Sequence, residues 1–192
     1  MYKLYFKRLI DFFLAITAIL VLFPFFVIVA LLVKIDSKGP LFYKQERVGM
    51  KGRLFKLYKF RTMTDVERDP NVKQTYADDP EITRVGGILR RLKIDELPQL
   101  INVLKGDMAV IGPRPALPSM YDEYGEEAQK RLRVRPGLSG LAQVNGNIMI
   151  PWEKRIEYDN KYIDSLSFWN DILIFLKTFA IIIFGEDKFV KV

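Results

Sequence analysis

Residues 12–33, FFLAITAILVLFPFFVIVALLV, run for 22 positions without a charged side chain. In helical form, at about 1.5 Å per residue, such a run is long enough to cross a hydrocarbon core of about 30 Å. It is longer than the apolar part of a secretory leader, and Lys34-Ile35-Asp36 follows in place of a small-residue cleavage pattern, so the segment is expected to be retained. Pro24 decides how it sits. Proline lacks a backbone N–H, so the Leu20 carbonyl loses its partner and the ring presses on that turn. Lys3, Lys7 and Arg8 precede the run, and nine Lys/Arg against two acids fill residues 34–61. The positive-inside rule then assigns both flanks to the cytoplasmic side, which a straight span cannot satisfy. A helix that bends at Pro24 and returns does satisfy it. The pieces before and after Pro24 have 12 and 9 residues, each reaching only about half the bilayer. A single spanning helix with a proline kink is the alternative.

The 192-residue chain is long enough for one compact domain besides this segment, and 49% of all its residues are hydrophobic. Cysteine and histidine are both absent. That excludes disulfides, thiolate nucleophiles, Cys/His zinc sites and imidazole acid–base chemistry, leaving Asp, Glu, Lys, Arg, Tyr, Ser or a hard metal ion. A net charge of +7 suits an anionic partner: nucleic acid, lipid headgroups or a phosphorylated substrate.

Beyond the apolar run, LFYKQERVG (41–49) and RLFKLYKFRTM (53–63) are β-prone and flank a turn at Met50-Lys51-Gly52, which predicts a hairpin. Residues 65–81 are polar, acidic and aperiodic, the pattern of an exposed loop. Val85, Ile88, Leu89 and Leu92 fall at helical spacing, and Leu97, Leu100, Ile101 and Leu104 resume it beyond an interruption at Asp95-Glu96-Leu97-Pro98. MAVIG (108–112) reads as a buried strand, 118–134 as a charged helical stretch, and RPGLSGLAQVNG (135–146) as a glycine-punctuated loop. The tail FWNDILIFLKTFAIIIF (168–184) carries Asp171 and Lys177, so its uncharged pieces are too short to span. It suits the membrane interface, with an ordinary buried helix as the other reading.

The sharpest local feature is KIDELPQL (93–100). Two adjacent carboxylates precede Pro98, a residue tolerated in a helix's first turn, so Asp95 is expected as an N-cap at a helix start that favours carboxylate, phosphate and Mg²⁺-bound phosphate. Plain capping is the bland account. Arg90 and Arg91 lie about one turn earlier, and Arg114 is set in the stiff Gly-Pro-Arg-Pro, offering paired donors to phosphate oxygens. Lys59 and Arg61 alternate with Tyr58 and Phe60, which suits a phosphate clamp, a lipid-facing surface, a nucleic-acid face or a solvated strand edge. Gln143, Asn145 and Asn147 offer amides to a base or sugar, and neither a P-loop nor a Rossmann glycine pattern is present.

Several motifs occur in a fixed order: KRLIDF, an apolar run with central Pro24, LFYKQERVG, YKFRTM, DELPQL, NVLKGDMAVIGPRP, RPGLSGLAQVNG, and Asp159-x-x-Tyr162 ahead of Asp171. In this order the chain resembles the bacterial sugar transferases, the small monotopic phosphoglycosyl transferases, over nearly its whole length. The resemblance implies an α+β fold: a re-entrant helix-break-helix anchor over 1–38, joined to a compact, mainly helical domain over 39–192 with short β segments and interfacial helices. It implies residence at the cytoplasmic face of a bacterial inner membrane. The implied activity is transfer of a phosphosugar from a UDP-sugar to polyprenyl phosphate with Mg²⁺ and release of UMP. By the same resemblance Asp95 is nucleophile and metal ligand and Glu96 completes the dyad, while Arg90 and Arg114 bind phosphate and Pro24 is the membrane break. Lys59, Arg61, Gln143 and Asn145 complete the expected substrate-binding set. Leu141 and Asn147 stand where members often have Trp and Arg, and Phe23 where they often have Ser. A glycosidase-type acid pair is disfavoured, because adjacent side chains do not flank a bond at the required separation. The reading from another class is a non-enzymatic, membrane-tethered basic module for anionic lipid or nucleic acid, which leaves the acid pair and its arginines unused.

Overall fold

The computed structural model describes residue 2 and residues 6–64, 79–121 and 125–185. Most of the loop expected over 65–81 therefore lies outside the described residues.

The apolar run becomes α1 (Lys7–Asp36), a 30-residue helix that continues through Pro24. The two separate helices expected there are joined in one element. A proline removes one rung at a cost of about 3 kcal/mol, while the rungs on either side persist. One stripe of α1, with Asp11, Ala15, Val29 and Val33, faces protein, and Leu20, Val21, Phe23, Ile28 and Leu31 are exposed.

The hairpin forms as expected: β1 (Phe42–Val48) pairs antiparallel with β2 (Leu54–Phe60), from Phe42 opposite Phe60 to Val48 opposite Leu54. Lys51 in the turn takes a left-handed φ of 59°. The interrupted helical pattern resolves into α2 (Arg84–Arg91), a 3₁₀ turn over Ile94–Gln99 and α3 (Leu100–Lys105). Thr83 caps α2, its hydroxyl accepting from Gly86 N at 2.9 Å. β3 (Ala109–Ile111) follows, then α4 (Pro118–Tyr121) and α5 (Glu126–Gln129) within the stretch expected to be charged and helical. A 3₁₀ turn at Lys130–Arg133 ends that stretch.

Residues 137–139, expected as part of a loop, instead form β4 (Gly137–Ser139), parallel to β3. Its glycine permits this pairing: a Cβ on Gly137 would lie 2.1 Å from Gly112 N, so the two backbones meet closer than any side chain allows. α6 (Trp152–Asp164) and α7 (Phe168–Phe184) complete the chain.

Three apolar clusters hold these elements together. Ala15 of α1 packs with Leu57, Leu100, Val103 and Met108. Val29 and Val33 pack with Phe60 and Leu89. Ile111, Val134, Val144, Tyr162, Ile163, Ile174 and Ile181 join β3 to α6 and α7. Asn102, fully buried on α3, accepts from Tyr58 N at 3.1 Å and donates to Lys56 O at 2.8 Å, so its amide continues the β2 edge and pins the hairpin to α3.

Candidate active site

The acid pair sits where α2, β2 and the Gly-Pro-Arg-Pro segment converge. After α2, Lys93 turns the chain with a left-handed φ of 56° and is itself the N-cap of the 3₁₀ turn. Asp95 and Glu96 thus lie inside the first turn, which corrects the expectation of Asp95 as the cap. The reversal at Lys93 starts the helical turn early and leaves both carboxylates free to point sideways into the domain.

Glu96 is bound on two sides. Lys59 Nζ lies 2.7 Å from Glu96 Oε1, and Arg114 reaches the same oxygen at 2.8 Å through Nη2 and Oε2 at 3.4 Å through Nη1. Asp95 is the less compensated of the two: Lys59 Nζ is 3.9 Å from its Oδ2. Burial raises the Asp95 pKa above the ordinary carboxylate value, Lys59 opposes the rise and the neighbouring Glu96 charge adds to it. Burial acts in the same sense on Glu96, but Arg114 and Lys59 reverse it and hold that carboxyl well below the usual range. Adjacent acids therefore have opposite shifts.

Arg90 belongs to this cluster. Its Nε donates to Thr62 Oγ1 at 2.8 Å, and its charge favours ionised Asp95. Arg61 turns instead to the end of α1. Its side chain is buried and Nη2 donates to Ser37 O at 2.6 Å and Val33 O at 3.3 Å, closing the end of α1. Gln143 and Asn145 are likewise engaged within their loop and by α7. Gln143 Nε2 lies 3.5 Å from Leu138 O, Asn145 Nδ2 donates to Leu141 O at 2.7 Å, and Asn145 Oδ1 accepts from Lys177 Nζ at 2.8 Å.

A family model described as bacterial sugar transferase matches residues 2–185. The chain belongs to the bacterial sugar transferase family. Among its relatives, a Bacillus subtilis (strain 168) protein named uncharacterized sugar transferase EpsL is 43% identical over 94% of this chain and 88% of its own length. The UDP-glucose:undecaprenyl-phosphate glucose-1-phosphate transferase of Escherichia coli (strain K12) is 42% identical over 90% of this chain, which spans 39% of that protein. The UDP-N-acetylgalactosamine-undecaprenyl-phosphate N-acetylgalactosaminephosphotransferase of Aeromonas hydrophila is 40% identical over 93% of this chain and 44% of its own length.

In this sugar transferase chain, no group of three or more His, Cys, Asp or Glu side chains able to hold a metal occurs among the described residues. Mg²⁺ does not require one, since it commonly takes one or two carboxylates together with substrate phosphates and water. Asp95 fits that role: its side chain is 10% exposed and its charge is incompletely balanced. Not foreseen from the sequence are Thr62, which holds Arg90, Asn102, which pins the hairpin to α3, and Arg131, whose Nη2 donates to Arg114 O at 2.8 Å. Asn102 had a readable signal, a polar residue inside the apolar LINVL. Arg131 had none, standing among like charges in KRLRVR.

Proposed function

We propose that the chain transfers a sugar phosphate from a UDP-sugar to polyprenyl phosphate, undecaprenyl phosphate in bacteria, through a covalent aspartyl intermediate. The observation that carries this reading is the asymmetry of the acid pair: Glu96 is neutralised by two cations, while buried Asp95 has one lysine at 3.9 Å. A carboxylate held so is available as a nucleophile, and Lys59, Arg90 and Arg114 surround it with the positive charge that phosphoryl transfer requires. The named relatives act on different sugars at similar identity, so the donor is assigned as a UDP-sugar class.

In the first step an Asp95 carboxylate oxygen bonds to the β-phosphorus of the donor. The bond from that phosphorus to the bridging oxygen breaks, and UMP leaves with the electron pair. In the second, an oxygen of the lipid phosphate attacks the same phosphorus, the bond to Asp95 breaks, and a polyprenyl diphosphosugar forms with the carboxylate restored. Mg²⁺ bound by Asp95 and the donor phosphates would supply charge neutralisation. Arg114, kept in place with Lys59 by Glu96, presents its charge to the oxygens of the transferring group, and Arg90 offsets charge beside Asp95. The rival basic-module reading is weakened because Lys59 and Arg114 are directed at the acid pair rather than presented as a plain cationic surface.

The membrane placement we propose is entry into one leaflet from the cytoplasmic side. It is supported by bonds at both ends of α1 to the same domain. Near its start Arg8 donates to the carbonyls of Val103 and Leu104, and Lys7 Nζ lies 2.7 Å from Asp171 Oδ2. At its end Asp36 Oδ2 accepts from Val85 N at 2.9 Å, and Arg61 holds Val33 and Ser37. A helix crossing the bilayer would carry these two sets of polar partners to opposite faces.

The test is incubation with donor alone. It should yield one phosphosugar adduct on Asp95 by peptide mass spectrometry and stoichiometric UMP. Asp95→Asn should abolish both, and Arg114→Lys should slow release about 10- to 100-fold, because a point charge replaces a bidentate donor. Full turnover by Asp95→Asn, or UMP release only when the lipid is present and with no adduct, refutes the covalent route.

A further inference from the structure

Four consecutive carbonyls around Arg114 each accept a hydrogen bond. Gly137 N donates to Pro113 O at 2.8 Å, Arg131 Nη2 to Arg114 O at 2.8 Å, Arg47 Nη1 to Pro115 O at 3.1 Å, and Val48 N to Ala116 O at 2.9 Å. Pro113 and Pro115 fix φ on either side, so the segment has little backbone freedom left. The bond to the Arg114 carbonyl itself comes from a buried charge pair. Arg131 Nε is 2.8 Å from Asp159 Oδ2, the two side chains are 6% and 2% exposed, and the Arg131 guanidinium carbon lies 5.1 Å from the centre of the Trp152 ring. These contacts connect α6 and the 3₁₀ turn at Lys130–Arg133 to Arg114, which reaches Glu96 with two nitrogens.

A buried ion pair is a weak source of net stability, because desolvation offsets most of its attraction. What this one supplies is geometry: one planar guanidinium meets Asp159 through Nε and the Arg114 carbonyl through Nη2. We propose that Arg131, oriented by Asp159, is a positioning residue for Arg114, setting the backbone from which that guanidinium meets the transferring phosphoryl group. The inference rests on the role given to Arg114 under Proposed function. Arg131 touches no reacting atom and acts only through its neighbour, so its effect on rate disappears when the Arg114 side chain is absent.

The experiment is a double-mutant cycle read by UMP release and by thermal melting in detergent. Lysine at 131 keeps the charge beside Asp159 but cannot also reach the Arg114 carbonyl with the same planar group. Arg131→Lys should lower kcat about tenfold in the otherwise unchanged enzyme and less than about twofold in Arg114→Ala, while the fall in melting temperature is the same in both. Asp159→Asn provides a second cycle with the same pattern and a smaller loss, and decides the matter if Arg131→Lys does not fold. Equal fold-losses in the two backgrounds overturn the proposal, as does an unchanged rate in Arg131→Lys despite lowered melting. An Arg114→Ala enzyme as active as the wild type removes this inference together with the reading beneath it. A loss at Arg114 with an additive loss at Arg131 removes the inference alone.

Discussion

Asp159 shows how one buried carboxyl can influence stability and activity in opposite directions. Burial pushes its pKa up from 3.8 to about 6, with Arg131 and then Arg155 pulling the other way. The folded protein therefore holds this proton more tightly than the unfolded chain. The resulting stability is fully present below the unfolded value and is lost as pH rises through about 6. Activity has the reverse sign, because the ionised carboxylate is the form that pairs with Arg131. UMP release should fall as pH drops through about 6, and Asp159→Asn should flatten both that profile and the dependence of melting temperature on pH between about 4 and 6. At this scale the sequence announced the acid pair, Arg90 and Arg114, because carboxylates beside a proline and an arginine between prolines are conspicuous. Arg61 lies two residues from Lys59 and carries the same charge. Only the third dimension shows one cation turned to Glu96 and the other to the last carbonyls of α1.

At the scale of elements, the hairpin was legible from two β-prone runs and the turn between them, and the interruption at Asp95 from the break in helical period. β4 was not, since Gly-Leu-Ser carries no alternating pattern and its pairing depends on a close approach to Gly112. Gly86 is a similar case. A Cβ there would lie 2.1 Å from Thr62 O, and Thr62 Oγ1 holds Arg90. Gly86→Ala should destabilise the protein by about 3 kcal/mol in denaturant melts and lower UMP release as Thr62 and Arg90 shift. For α1, the absence of cysteine permits a direct test of placement. Single cysteines replacing Lys3 and Lys38 should both resist an impermeant thiol reagent in intact cells and react after lysis. Labelling of either one in intact cells establishes a spanning helix. Pro24→Leu should shift the pattern toward a span, since the interior proline penalty of about 3 kcal/mol is gone.

At the scale of the whole molecule, two exposed apolar surfaces stand out among the described residues: the outer side of α1, and Trp169, Leu173, Leu176, Phe179, Ile182 and Ile183 on α7. The buried side of α7 is anchored through Asp171, which accepts from Tyr162 Oη at 2.8 Å and pairs with Lys7. With the inner side so fixed, Phe179→Asp and Ile182→Asp should weaken retention on lipid vesicles while leaving the melting temperature nearly unchanged. Unchanged retention with lost solubility would identify α7 as a core helix instead. The docking of α1 also bears on how such an enzyme can be produced and diversified. Cutting the chain after residue 38 would not release a water-soluble catalyst. It would uncover Leu57, Leu100, Val103 and Met108, and strip partners from the backbone of Val85, Val103, Leu104 and Val110. The apolar helix is thus part of the catalytic fold's own scaffolding. Lineages can lengthen this unit by adding segments outside it, but they cannot exchange its membrane helix for an unrelated one without redesigning the interior.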